Sequence, residues 1–187
     1  MIELLVMIAI AGILAGIAAP GFIGFLNNQR MREATSELFN VLNQTKSRAR
    51  KEKTPYFVAF RNFPTSNGFA QYSVPFPINS SVDLSTYNCS GLVWRNLGTD
   101  DFPLQFDMDK STFATLSDCT PTTRRVTFDK NGFTFDKNGF TTDQDRRDIR
   151  FFLRGNPGSL RCIRSRYTVG TLVLLDGCPK DLDEDEE

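Results

Sequence analysis

The apolar residues of this chain crowd its start. From Leu4 to Leu26 there are 23 residues without a charge, LLVMIAIAGILAGIAAPGFIGFL. As a helix rising about 1.5 Å per residue, they span roughly 35 Å, enough to cross a hydrocarbon layer of about 30 Å. The apolar region of a cleavable signal peptide is shorter, about 7–15 residues, and follows a basic start. Here the only charged side chain before the run is Glu3. The run is therefore read as a membrane helix rather than a signal peptide or a buried core helix. Gly12, Gly16, Pro20, Gly21 and Gly24 punctuate it. Pro20 removes a backbone donor and crowds the preceding turn, and each glycine weakens a helix by about 1 kcal/mol relative to alanine. These residues mark where the helix can stretch or kink, and Gly12 with Gly16 has the GxxxG spacing that permits close helix approach.

From residue 28 the pattern becomes amphipathic. Ala34, Leu38, Val41, Leu42, Thr45 and Ala49 recur on one helical face, with polar residues opposite. Basic residues crowd the last turn, where they complement the helix dipole, and Thr54-Pro55 is a stop signal. If Pro20 does not break the rod, residues 2–53 form one helix of about 78 Å. After Tyr56 the period changes to that of strands. YFVAF at 56–60, LVW at 92–94, LQFDM at 104–108, VTF at 126–128, IRFFL at 149–153 and TLVLL at 171–175 are separated by turn-forming residues. Segment 62–91, rich in Asn, Ser, Pro and Gly, reads as a long loop. A helix followed by strands predicts an α+β protein, the C-terminal half of its long N-terminal helix packed on an antiparallel sheet. The predicted divisions are 1–27, the membrane helix; 28–54, its amphipathic continuation; 55–180, a β-rich head; and 181–187, an acidic disordered tail, DLDEDEE.

Composition narrows the chemistry. The 187 residues hold 22 basic and 22 acidic side chains, which argues against a generally basic nucleic-acid binder, and no histidine. Ser-His-Asp and Cys-His mechanisms therefore lack their base, and histidine-bearing zinc sites are excluded. No enzyme constellation and no cofactor site is expected. The basic run RARKEK at 48–53 reads as a solvated helix end rather than a nucleic-acid patch. The heptapeptide TFDKNGF occurs twice, at 127–133 and 134–140. It is too short for a solenoid repeat and predicts two strand-turn units or one extended hairpin. A calcium loop using Asp129, Asp136, Asp143 and Asp145 is the alternative, but the spacing does not match an EF-hand.

The stretch IELLVMIAIAGILAGIAAP resembles the mature N-terminus of type IV pilins and type II secretion pseudopilins. Those proteins open with Phe-Thr-Leu-Ile-Glu-Leu and place a proline seventeen residues after the glutamate. Glu3 and Pro20 have that spacing, and Gly12 falls where a family glycine falls. The following helix, ELFNVLNQTKSRARKEKTP, resembles the H-type pseudopilins and the FimT/FimU minor pilins, and TFDKNGF and RCIRSR fit that group loosely. A major pilin with a large head is the competing assignment.

The resemblance implies a helix held in the bacterial inner membrane as a single pass, head in the periplasm, before it moves into an extracellular pilus or periplasmic pseudopilus. Glu3 would pair with the N-terminal amine of a neighbouring subunit, and Gly12 and Pro20 would give the helix flexibility. Partners would be other pilin or pseudopilin subunits, membrane lipid and the inner-membrane assembly machinery. A basic leader removed by a prepilin peptidase, with N-methylation, is implied upstream. The positive-inside rule would put the basic side of the helix in the cytoplasm; the family puts it outside, and the family orientation is taken. In an exported head, Cys89, Cys119, Cys162 and Cys178 are expected to form disulfides. Of three connectivities, Cys89–Cys119 with Cys162–Cys178 is favoured, because each pair clamps a neighbouring segment. Some FimT-like proteins bind DNA through a C-terminal Gly-Arg-x-Arg pattern. Gly170-Thr171-Leu172-Val173 stands there without the arginines, leaving Arg161, Arg164 and Arg166 as the candidate DNA contacts.

Overall fold

The computed structural model describes residues 2–63, 68–78, 87, 89–99, 102–111, 113–116, 118–132, 135–136, 139–140, 147–153, 156–166 and 171–178. Side chains of 5, 15–21, 135–136, 139–140, 147, 156–158 and 166 lie outside that description. Helix α1 runs unbroken over Ile2–Glu52, about 77 Å at 1.5 Å per residue, so Gly12 and Pro20 do not interrupt it. It stops where Lys53 takes a left-handed conformation, φ 53°, before Thr54-Pro55. Arg48 donates to Glu52 at 2.9 Å, and the Tyr56 hydroxyl donates to the same carboxylate, tying the last turn to the first strand. The Tyr56 bond, with Arg48 second, holds the Glu52 carboxyl below its usual range.

The strands are antiparallel throughout. Strand β1 (Tyr56–Asn62) lies at the centre of the first sheet. On one edge it pairs with β2 (Ala70–Ser73) and β3 (Phe76–Pro77), and β4 (Trp94–Asn96) follows β2. On the other edge lies β8 (Thr123–Phe128), then β7 (Thr115–Leu116). The second sheet has the order β13-β12-β11-β6-β5, with β5 Gly98–Thr99, β6 Phe102–Phe106, β11 Arg147–Leu153, β12 Asn156–Arg166 and β13 Thr171–Leu175. A small hairpin joins β9 (Phe135–Asp136) to β10 (Gly139–Phe140).

Six expected strands are present, although β4 begins two residues after the start of LVW and β6 two residues before LQFDM. The expected loop at 62–91 holds β2 and β3. The longest strand, β12, was not expected: arginines at 161, 164 and 166 obscure its alternation. The first TFDKNGF copy ends β8 and makes a turn, whereas the second holds β9 and β10.

One core lies between α1 and both sheets. From the helix it receives Met31, Ala34, Leu38, Leu42 and Ala49; from the strands Val58, Phe60, Leu104, Phe106, Val126, Phe128, Ile149, Phe151 and Ile163. These include most of the face read from the sequence, with Met31 one turn earlier. Thr35 and Thr45 are buried in the helix because their hydroxyls donate to the carbonyls of Met31 and Val41, both at 2.6 Å. Asn62 joins the two sheets: its amide donates to the Phe106 carbonyl and its oxygen accepts the Phe106 N–H, both at 2.8 Å. A second apolar cluster covers the far face of the first sheet, built on Phe57, Ala59, Leu92, Leu116 and Cys119.

Both favoured disulfides are present. Cys89–Cys119, Cα atoms 5.4 Å apart, fastens this second cluster, and Cys162–Cys178, 5.3 Å apart, ties β12 to the chain beyond β13. With separations of 30 and 16 residues, each stabilises the fold by about 3–4 kcal/mol in the chain-entropy account.

The first TFDKNGF turn seats against the end of α1. Asp129 accepts the Asn131 N–H at 2.9 Å, and Arg50 Nε donates to the Asn131 carbonyl at 2.7 Å. Gly132 has φ +80°, and a Cβ there would lie 2.5 Å from Arg50 Nε, so only glycine fits.

Buried Tyr72 donates its hydroxyl to Glu37 of α1 at 2.6 Å. Burial first, and the Glu37 bond second, push its phenol up to about 12. A raised folded-state pKa stabilises the fold fully below the free phenol value of about 10 and stops doing so as pH rises through about 12. Stability is therefore expected to fall between about pH 10 and pH 12, and Tyr72→Phe to flatten that fall in denaturant titrations run at stepped pH.

Candidate functional site

Helix α1 has two unlike halves. From Leu38 to Ala49 one face is sealed against the sheets. From residue 2 to 25 every described side chain is exposed, and nearly all are apolar. Ile2, Leu4, Val6, Met7, Ile8, Ile10, Ile13, Leu14, Phe22, Ile23 and Phe25 point outward in all directions, because successive residues turn by about 100°. A helix apolar on every side requires cover on every side. Among the described residues the head supplies none. A Cβ at Gly12 or Gly24 would meet nothing within 4 Å, which leaves these positions open to close approach by another helix.

Glu3 is exposed at the start of this half and is the only charged side chain before Arg30. The backbone of Pro20 is helical, and its side chain lies outside the description. Among the described residues no helix is long and apolar enough to cross a membrane. The expected span from Leu4 to Leu26 thus has no counterpart there. Side chains 5 and 15–21, eight of the 23 positions in the uncharged run, lie outside the described residues.

Of the candidate DNA contacts, Arg161 and Arg164 are engaged within the fold. Arg161 is ion-paired with Asp176. Arg164 grips Asp148 with both arms of its guanidinium, at 2.8 and 2.7 Å, and Arg150 lies 3.8 Å from the same carboxylate. The Arg161 and Arg164 side chains are only 10% and 14% exposed. A phosphate would have to displace Asp176 or Asp148. The Arg166 side chain lies outside the description, as do Asp143, Asp145 and the tail at 181–187. Among the described residues no group of three or more His, Cys, Asp or Glu is placed to hold a metal ion. Of the alternative calcium set, Asp129 is turned onto the Asn131 backbone N–H and side-chain amide, and the Asp136 side chain is outside the description.

Where the helix meets the head, a cavity of about 390 Å³ opens between Arg30, Glu33 and Glu37 on α1 and Asn96, Thr99 and Phe102 on the sheets. Sequence reading did not anticipate it, because β5 is only two residues long and carries no alternating pattern.

Taken together, these features define a class: a rod-and-head protein in which one continuous helix is a core element at one end and an uncovered apolar shaft at the other. The chain is similar to the type IV minor pilin FimU of Pseudomonas aeruginosa, strain PAO1, in two crystal forms. In one, identity is 13% over 81% of this chain and 92% of that chain, with a TM-score of 0.47. In the other, identity is 14% over 77% and 91%, with a TM-score of 0.43. No family model and no curated protein matches the chain.

The described side chains of the shaft lie outside the core of the head. Ile13, 65% exposed, is expected to tolerate Ile13→Lys with less than about 0.5 kcal/mol change. Leu38, fully buried, is expected to lose about 2–5 kcal/mol as Leu38→Ala. Urea unfolding of the full chain in mild detergent, followed through Trp94 fluorescence, checks both values.

Proposed function

We propose that this chain is a structural, non-enzymatic subunit of a type IV pilus or pseudopilus, in the minor, H-type or FimU-like class that primes assembly or sits near the tip. The supporting observation is the 51-residue helix α1, bare and apolar in its first half while its second half carries a disulfide-bonded head. In this reading the shaft rests in the inner membrane as a single pass with the head in the periplasm. Assembly exchanges lipid for neighbouring helices in an extracellular pilus or periplasmic pseudopilus. Dispersion and close packing drive that exchange, and the openness around Gly12 suits it. The partners are other pilin or pseudopilin subunits and the inner-membrane assembly machinery, after a prepilin peptidase has processed the precursor.

Glu3 sets the register in this account. A carboxylate among apolar side chains costs a few kcal/mol unless paired, and the N-terminal amine of a neighbouring shaft is the proposed partner. Removing one member of such a buried pair typically costs about 3–5 kcal/mol. Glu3→Ala is therefore expected to leave the amount of membrane-held subunit unchanged and to remove the subunit from sheared filaments. Immunoblots of the two fractions measure this, and recovery of Glu3→Ala in filaments at the wild-type level would contradict the assigned role.

A further inference from the structure

We propose that the cavity at the base of the head binds the phosphoethanolamine headgroup of a membrane lipid while the subunit is held in the bilayer, an inference that rests on the membrane-resident state proposed above. Position is the first observation. Arg30 lies four residues beyond Leu26, the end of the uncharged run, which is about 6 Å along the helix axis. The headgroup layer on each side of the hydrocarbon is about 5–7 Å deep. Arg30 therefore sits at phosphate depth, and Glu33 lies about one helical turn further out.

The lining is the second observation. The cavity offers one cation, Arg30, and two carboxylates, Glu33 and Glu37, with Asn96, Thr99 and Phe102 as the opposite wall. That wall is held by Gly98 at φ +93°, where a Cβ would lie 2.8 Å from the Phe102 carbonyl. The Phe102 ring lies 5.8 Å from the Arg30 guanidinium and steadies it. Glu37 already accepts the Tyr72 hydroxyl. Among the described residues neither Arg30 nor Glu33 is in an ion pair. Three residues apart on one helix, their Cβ atoms stand about 5–6 Å from each other.

The charges match a zwitterion with its anion nearest the bilayer. A guanidinium grips phosphate through two parallel N–H bonds. A carboxylate further out accepts N–H bonds from a primary ammonium. A phosphocholine headgroup carries its positive charge on a nitrogen without N–H, and a phosphoglycerol headgroup has no cation. Of these three headgroups, only ethanolamine satisfies both ends of the cavity.

Native mass spectrometry of the full chain, released from detergent micelles holding equal amounts of phosphatidylethanolamine, phosphatidylcholine and phosphatidylglycerol, tests this. Retention of phosphatidylethanolamine is expected to exceed the other two by about tenfold, the worth of one charge-assisted hydrogen-bond set. Glu33→Gln should bring it down to the phosphatidylcholine level, and Arg30→Gln should remove retention of all three. Both side chains are exposed, and circular dichroism establishes that each variant keeps its fold. Equal retention of the three lipids, or an ethanolamine preference that survives Glu33→Gln, would overturn the assignment. Displacement of the lipid by free phosphoethanolamine at equal concentration would overturn it too, because the ligand would then come from solution. Membrane fractionation separates the two levels. A chain absent from membranes removes the membrane-resident reading and this one with it, whereas a membrane-held chain without headgroup preference removes this one alone.

Discussion

Everything in this molecule depends on one helix whose two halves carry different side-chain patterns. Backbone hydrogen bonding propagates along α1 without regard to what surrounds it, so a continuous rod of 51 residues forms. Its side chains then divide the rod. Between Met31 and Ala49 apolar residues occupy one stripe, and that stripe is buried. Between Ile2 and Phe25 they occupy all sides, and no sheet, which offers a single face, could cover them. The division falls at the first polar cluster, Asn27 to Arg30, where the head begins to cover the helix.

The head is built so that the covered half cannot easily come away. Two sheets share one core with α1 and are joined to each other through the Asn62 amide on Phe106. Tyr72 reaches from β2 to Glu37, and the turn at Asp129–Gly132 closes on Arg50 near the helix end. The two disulfides fasten the cluster on the outer face of the first sheet and the chain beyond β13.

Much of this was legible in the chain. The helix face from Ala34 to Ala49 follows from 3.6-residue spacing, and β1, β8, β11 and β13 follow from compact runs of β-branched and aromatic residues. Other elements were hidden for identifiable reasons. Strand β12 carries arginines whose charges are neutralised by Asp148 and Asp176, partners from other parts of the sequence that no local pattern reveals. Strands β2 and β3 sit among Asn, Ser, Pro and Gly, and pairing within the sheet, with β1 and for β2 also with β4, makes them strands. The cavity near Arg30 was invisible because its walls come from segments 30–37 and 96–102, far apart in the chain. Of the site residues, Glu3, Gly12, Pro20 and the four cysteines stood out by position or type. Arg161 and Arg164 also stood out, but as charges already engaged within the fold.

The central claim is that the bare half of α1 is covered by the corresponding halves of other subunits in a filament. Quantitative mass spectrometry of sheared, purified filaments from the native cell measures this most directly. The account expects the chain to be present reproducibly and at a small fraction of the dominant subunit. Its absence from filaments, with full retention in the membrane, would contradict the claim.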